Sequence, residues 1–444
     1  MLDRILALIK KIIPKSVLNF LLPFYHHFLA LFSAWFYYYP ADKMIIVGVT
    51  GTAGKSSTCY YIAQILEQAG WAVGMTTTTL FKIKNKEWLN DKKMTMIGRL
   101  QLQKTLAKMA KAGCQCAIIE TSSEGIKQFR HTGINYDILV FTNLYPEHLE
   151  AHGGFENYKQ TKGKLFASLA DAKKKIGFKV KKTIIVNLDD QFADYFLSFD
   201  SEEKIGYSHA EFTRTNLKTN LLGDYNQSNV AAALAVVKAL DLPQPADVSF
   251  LKPLPGRLEF IENKLGLKII VDYAFEPQAM EKLYTVVKDI PHQKIIQVLG
   301  SAGGGRDKAR RARLGSLAAE QADIVIVTNE DPYDEDPCAI IKEVLQGAAD
   351  YWLKEFGTPE DVENFKFSIS NFKTILNFSI LNNHKTLYAV LDRRAAITLA
   401  LKLALPNDLV LITGKGAEQA ICVADSKKIP WDDRQVVREE LARI

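Results

Sequence analysis

The chain has 444 residues, 48% hydrophobic and 24% charged, with a formal net charge of +6. This balance excludes disordered and fibrous classes, and the length suggests about two or three domains. The positive excess is small and dispersed, which argues against a nucleic-acid partner, and Cys59, Cys114, Cys116, Cys338 and Cys422 lack the paired spacing of a zinc or redox motif. They read as reduced thiols, mostly in the core.

Residues 1–42 are apolar and rich in aromatics. Arg4, Lys10, Lys11 and Lys15 precede Ser16–Pro40, a stretch without Asp, Glu, Lys or Arg. Pro23, His26 and His27 interrupt it, and Phe24–Tyr39 falls short of the ~20 residues a spanning helix needs. Basic residues ahead of a single span would also export everything after it. No small-residue cleavage site separates the segment from the apolar run that begins at Met44. The expected placement is cytoplasmic. The segment is expected to be a helix, either lying on the inner face of the membrane or on a partner, or buried against its own body.

From residue 43 to 250 apolar strands alternate with helices. The first strand, Met44–Val49, breaks into Gly51-Thr-Ala-Gly-Lys-Ser-Ser57 and a helix over Lys55–Ala69. Gly51 and Gly54 allow backbone N–H groups to point at a polyphosphate, the helix start adds its positive end, and Lys55 supplies a mobile cation. A nucleoside triphosphate is the ligand to expect, although Val49 stands where the full phosphate-loop pattern has its leading glycine. Further strands are expected at Cys116–Glu120, Ile138–Thr142 and Thr183–Asn187.

Leu251-Lys-Pro-Leu-Pro-Gly-Arg257 reads as a linker to a second domain, 251–444. Strands near Lys268–Asp272, Lys294–Leu299, Asp323–Thr328, Thr386–Leu391 and Asp408–Thr413 suit a Rossmann-like sheet. The fold class is α/β, a phosphate-loop ATPase-like parallel-sheet domain followed by a Rossmann-like domain. Ligands collect at the carboxyl ends of such strands, where this chain places Glu120, Thr142-Asn143, Gly304-Gly-Arg-Asp307, Glu330-Asp331 and Gly414-Lys-Gly416.

In order, these motifs resemble the Mur ligases, ATP-dependent amide-bond-forming enzymes of peptidoglycan precursor synthesis, and among them the branch that adds the third peptide residue. Further motifs carry the resemblance: Glu120-Thr-Ser-Ser123, Glu147-His-Leu-Glu150, Lys162-Gly-Lys-Leu-Phe166, Asn226-Gln-Ser-Asn229, Pro255-Gly-Arg-Leu-Glu259, Val271-Asp-Tyr-Ala274, Asp392-Arg393 and Asp432-Asp-Arg434. It covers about residues 44–440.

The resemblance implies ATP, two Mg²⁺ ions and an acyl phosphate attacked by an amine. Gly51, Thr52, Gly54, Lys55, Ser56 and Ser57 would hold the phosphates. Ser56, Glu120, His148 and Lys162 would serve the metals, with Lys162 carbamylated into an anionic oxygen ligand. Catalysis would rest on Lys55, Glu120, His148 and Lys162. Asn226 would lie near adenine, Asp272 near the ribose and Arg257 at the domain joint. Ser123, Arg306, Asp331, Gly414 and Glu418 stand at substrate positions, the last four where third-residue enzymes hold the incoming amino acid.

Three departures bear on substrate. Glu330-Asp-Pro-Tyr333 replaces the Asp-Asn-Pro-Arg of diaminopimelate enzymes, and Tyr333 cannot pair a carboxylate bidentately; Glu330 and Asp331 suit an amine, so lysine or another diamino acid fits. Phe275 and Ala417 replace two family histidines. Little chain precedes the first strand where the family has a UDP-binding domain, so the acceptor is either a UDP-N-acetylmuramoyl-peptide-like carboxylate or one reached differently. Another acceptor (lipid-linked, glutamyl, folate-like or a pseudomurein peptide) and a nucleotide-binding regulator without ligation stay open as alternatives.

Overall fold

The computed structural model describes residues 15–147, 149–305, 308–356, 375–379 and 385–444. His148 and Arg306 lie outside the described residues. The chain divides into two compact units, the first ending at Lys252 and the second running Pro253–Ile444.

The first unit is built on eight strands: β1 Ile45–Thr50, β2 Val73–Thr76, β3 Leu80–Ile83, β4 Lys86–Leu89, β5 Cys116–Glu120, β6 Ile138–Phe141, β7 Thr183–Asn187 and β8 Glu203–Tyr207. Their order is β4-β3-β2-β5-β1-β6-β7-β8. From β2 to β8 all neighbours are parallel, and β3 and β4 add an antiparallel edge. All six residues of β1 are buried, as expected of a central parallel strand covered on both faces. The register sets Val49 beside Glu120 and Thr50 beside Phe141, so the ends of β5 and β6 flank the loop after β1.

The edge hairpin was not foreseen because its strands are only four residues each and do not alternate: Leu80, Phe81 and Lys82 are buried in succession, and Lys82 reaches Glu67 at 2.9 Å and Glu87 at 2.6 Å. At the opposite ends of the strands, buried Asp137 accepts the Ile46 N–H at 2.8 Å and the Lys182 ammonium at 3.0 Å, and pairs with Lys175. Lys175 also donates to the Met44 carbonyl at 2.8 Å, which ties the start of β1 to β6.

Lys15–Phe36 is one helix with Pro23 inside it. It packs on the helix Arg99–Lys111. No helix among the described residues is long and apolar enough to cross a membrane.

The second unit holds β9 Glu259–Phe260, β10 Lys268–Asp272, β11 Ile295–Leu299, β12 Ile324–Thr328, β13 Ile375–Ser379, β14 Thr386–Val390 and β15 Leu409–Thr413, in the order β13-β14-β12-β11-β15-β10-β9. The five inner strands are parallel and both edges antiparallel. Arg393 and Asp433, both essentially unexposed, pair at 2.7 Å and join the helices Arg393–Leu403 and Asp433–Leu441. All five cysteines are free, four of them buried.

Candidate active site

Gly51-Thr-Ala-Gly54 forms the loop between β1 and the helix Lys55–Gln68. Gly54 caps that helix with φ of 79°, a left-handed conformation, and a Cβ there would fall 2.4 Å from Asn229 Oδ1. The end of β6 fixes the loop: the Thr52 N–H donates to the Asn143 carbonyl (2.8 Å), the Ala53 N–H to Asn143 Oδ1 (2.8 Å) and Thr142 Oγ1 to the Ala53 carbonyl (2.7 Å). The sequence marked Thr142-Asn143 as a strand-end motif but gave it no role; the structure makes it the brace of the cradle. The remaining N–H groups of the loop and the helix end are the kind of arrangement that suits an anion.

Lys55 Nζ donates to the Thr52 carbonyl at 2.7 Å, folded back over the loop. Ser56 Oγ donates to Glu120 Oε2 at 2.6 Å, and Ser57 is buried on the same turn. Glu120, 2% exposed at the end of β5, also takes the Thr78 N–H (2.7 Å) and hydroxyl (2.9 Å). Among the described residues no three His, Cys, Asp or Glu side chains converge on a metal position. One hydroxyl and one carboxylate are nevertheless the hard-oxygen pair that would suit Mg²⁺.

Lys162, on the helix Phe155–Ala170, is 1% exposed, donates to the Gly51 carbonyl at 2.8 Å and lies 4.6 Å from the centre of the Tyr158 ring. Burial, reinforced by the Lys55 charge and opposed by Glu120, holds its amine well below the usual lysine range. The helix thus carries an easily neutralised amine to the phosphate loop. Tyr158 continues the contact, its hydroxyl 3.1 Å from Thr52 Oγ1. Ser123 Oγ lies 3.1 Å from His152 Nε2, and burial lowers that imidazole's pKa. Asn226 accepts the Tyr61 hydroxyl at 3.0 Å and donates to the Leu222 carbonyl at 2.8 Å.

In the second unit Asp272 accepts the N–H groups of Leu258 and Ala274, both at 2.6 Å, closing the turn that carries Arg257. The Arg257 guanidinium stacks 4.1 Å over Tyr273. Burial raises the Asp272 pKa, with Arg257 pulling the other way.

Lys415, unexposed, organises the carboxylates at the ends of β12 and β15. It donates to both oxygens of Asp331 at 2.9 Å and to Glu418 Oε2 at 2.5 Å, while Tyr273 donates to Glu418 Oε1 at 3.0 Å. Asp331 takes the Cys422 N–H as well. Glu330 differs: it is 4% exposed, and its Oε2 has no hydrogen-bond partner among the described residues. That oxygen presses on Gly414, where φ is +109° and a Cβ would fall 2.4 Å away. Burial and the Asp331 charge raise its pKa, against Arg393, Lys415 and Arg310.

Arg310 is the matching cation. It is 7% exposed, its Nε and Nη2 lack partners among the described residues, and it lies 5.5 Å from the Phe275 ring. The sequence does not single it out, because it sits among Arg311, which pairs with Glu335 and Glu343, and exposed Arg313, which pairs with Glu281. Lys415 was visible inside Gly414-Lys-Gly416, without any sign of which carboxylates it meets.

Comparison with known proteins shows the family. The family profile described as the Mur ligase middle domain matches residues 49–237, and that described as the Mur ligase, glutamate ligase domain matches 256–416. A UDP-N-acetylmuramyl-tripeptide synthetase of Roseiflexus sp. (strain RS-1) is 35% identical, over 94% of this chain and 82% of its own length. A UDP-N-acetylmuramoyl-L-alanyl-D-glutamate--2,6-diaminopimelate ligase of Geobacter metallireducens is 31% identical, over 91% and 80%. A solved structure of a ligase of that second name superposes with a TM-score of 0.54 at 26% identity, covering 90% of this chain and 78% of the other. Escherichia coli FolC in complex with ADP shares the fold, with a TM-score of 0.60 at 18% identity over 87% of this chain and 90% of its own. The chain belongs to the Mur ligase family and is an ATP-dependent ligase of that type.

Proposed function

We propose that this ligase joins an amino acid carrying a second amine to the carboxylate of a UDP-N-acetylmuramoyl-peptide-like acceptor in peptidoglycan precursor synthesis, by way of an acyl phosphate. The observation that carries the ligase chemistry is the grouping of Lys55, Ser56, Glu120 and Lys162 around one phosphate loop. Bound ATP and Mg²⁺ would supply phosphoryl transfer and charge neutralisation. Ser56 and Glu120 would hold the metal at the phosphates. Gly51, Thr52, Gly54, Lys55 and Ser57 would hold the phosphates themselves. Burial makes the Lys162 amine easier to neutralise, the neutral amine is the form that takes up CO₂, and as a carbamate it would offer oxygen to a second Mg²⁺ with His148. Asn226, Asp272 and Arg257 are proposed for the nucleotide, and Ser123 for the acceptor.

The choice of amino acid rests on Glu330 and Arg310. A buried carboxylate and a buried guanidinium, each with unpartnered atoms, complement a zwitterion: Arg310 presents Nε and Nη2 as a two-pronged donor to a carboxylate, and Glu330 accepts an ammonium. Gly414 leaves space for Glu330, Lys415 fixes Asp331 and Glu418, and the family resemblance adds Arg306 to the proposed amino-acid site. Tyr333 offers no guanidinium for a second carboxylate, which favours lysine or ornithine over diaminopimelate.

The test is ADP release by purified protein with Mg²⁺, bicarbonate and UDP-N-acetylmuramoyl-dipeptide, against lysine, ornithine and diaminopimelate, with products weighed. Turnover with lysine or ornithine supports the proposal. Turnover only with diaminopimelate overturns the reading of Glu330 and Tyr333. Nucleotide binding without turnover across the panel overturns the acceptor.

A further inference from the structure

The helix Lys15–Phe36 takes no part in the proposed ligation, and its two faces differ. On the inner face Ala30, Ser33 and Ala34 are at most 1% exposed; Ala34 lies against Gly133, and the helix packs on Arg99–Lys111. The outer face is aromatic. Phe24, Phe28, Phe32, Trp35 and Phe36, with Tyr38 just past the helix end, are 40–81% exposed. Phe32 sits at the centre of this sheet of rings, with centroids 6.2 Å from Phe28, 5.7 Å from Trp35 and 6.1 Å from Phe36.

An ordinary surface helix turns charged residues to water, and this one turns rings. With aromatic side chains of ~150–250 Å² each, the stripe exposes on the order of 700 Å², more than the ~300–600 Å² of the largest patch on a typical monomer. Such a face needs a cover.

We propose that the cover is an anionic lipid surface, with the rings seated at the boundary between headgroups and acyl chains. Charge selects this occupant. Arg4, Lys10, Lys11 and Lys15 precede the stripe, Asp3 is the lone acid before Asp42, and no charged residue lies in Ser16–Pro40. A basic run ahead of an aromatic-faced helix in the sequence adds attraction to lipid phosphates, which a second copy, carrying the same positive residues, does not offer. Trp and Tyr beside Phe suit the interface, and the helix lies on the surface because no described helix is long and apolar enough to span it. The lipid contact is independent of the amino acid and acceptor assigned above.

The experiment mixes the full chain with phosphatidylcholine vesicles, with and without phosphatidylglycerol, and follows sedimentation and quenching of tryptophan fluorescence by brominated lipid. Binding is expected with phosphatidylglycerol, about tenfold or more weaker without it or at high salt. Quenching is expected to disappear in Trp35→Phe. The double variant Phe24→Glu, Phe28→Glu changes only exposed side chains and should lose vesicle binding while keeping nucleotide binding, which certifies the fold. A wild-type chain that stays in the supernatant with every vesicle overturns the proposal. So does undiminished vesicle binding by the glutamate variant. A wild-type dimer that ignores vesicles and becomes monomeric in that variant also overturns it, by assigning the face to a second copy.

Discussion

Ser56 Oγ donates a 2.6 Å hydrogen bond to Glu120 Oε2 across a separation of 64 residues. The pairing joins the first turn of the phosphate-loop helix to the end of the adjacent strand. The hydroxyl and the carboxylate are the hard-oxygen pair that would hold Mg²⁺.

Glu120→Gln keeps the shape and removes the charge. The Mg²⁺ concentration for half-maximal ADP release is expected to rise on the order of 100-fold, with turnover falling in step, and Ser56→Ala about tenfold less severely. A magnesium titration decides it. Wild-type turnover in Glu120→Gln at wild-type Mg²⁺ would remove Glu120 from the metal site.

Glu330→Gln tests the amine. Oε2 is buried, unpartnered and pressed against Gly414, so an incoming ammonium is the partner that would satisfy it. The variant should raise KM for lysine or ornithine by about 10- to 100-fold and leave KM for ATP unchanged, the cost of one charge-assisted hydrogen bond at about 1.5–3 kcal/mol. Steady-state kinetics with each substrate varied separates the two. An unchanged amino-acid KM sinks the assignment.

Asp137 holds two buried lysines, and Asp137→Ala would strand both ammonium groups, costing about 3–5 kcal/mol in urea unfolding. Burial, opposed by Asp137, lowers the Lys175 pKa from 10.5 to about 8. Between those values the unfolded chain holds the extra proton, so stability contributed by this group rises with pH and is flat below about 8. Relative to Lys175→Met, the wild type should gain up to about 3 kcal/mol across that window. A difference that shrinks as pH rises would contradict the burial argument.

Strands buried on both faces were legible in the sequence because continuous Val, Ile and Leu runs can hardly be anything else: Cys116–Glu120, Thr183–Asn187 and Lys268–Asp272 appear with the expected limits. The phosphate loop was legible because its chemistry is local. Partners far apart in the chain were not. Nothing near Lys415 says that it meets Asp331, 84 residues away, and nothing in Arg310-Arg-Ala-Arg313 says which guanidinium is left unpartnered. The aromatic helix was ambiguous for a different reason. Composition cannot divide an apolar segment into faces, and here one face is buried against the protein and the other exposed.

Lys162 gives the most demanding prediction. Its amine is buried, and Lys55 beside it disfavours a second positive charge, while the neutral amine is the form that reacts with CO₂. Wild-type ADP release should fall when CO₂ and bicarbonate are stripped and recover when bicarbonate is returned. Lys162→Arg keeps a cation but cannot be carbamylated, and should lose about 100-fold or more in turnover without recovery. Lys162→Met should be no less stable than wild type near neutral pH, since it removes a buried amine and the cost of keeping it dry. Thermal unfolding measures this separately from activity. Full activity in Lys162→Arg would leave the lysine a structural donor to Gly51; equal activity with and without CO₂ would dismiss the carbamate and retain the amine.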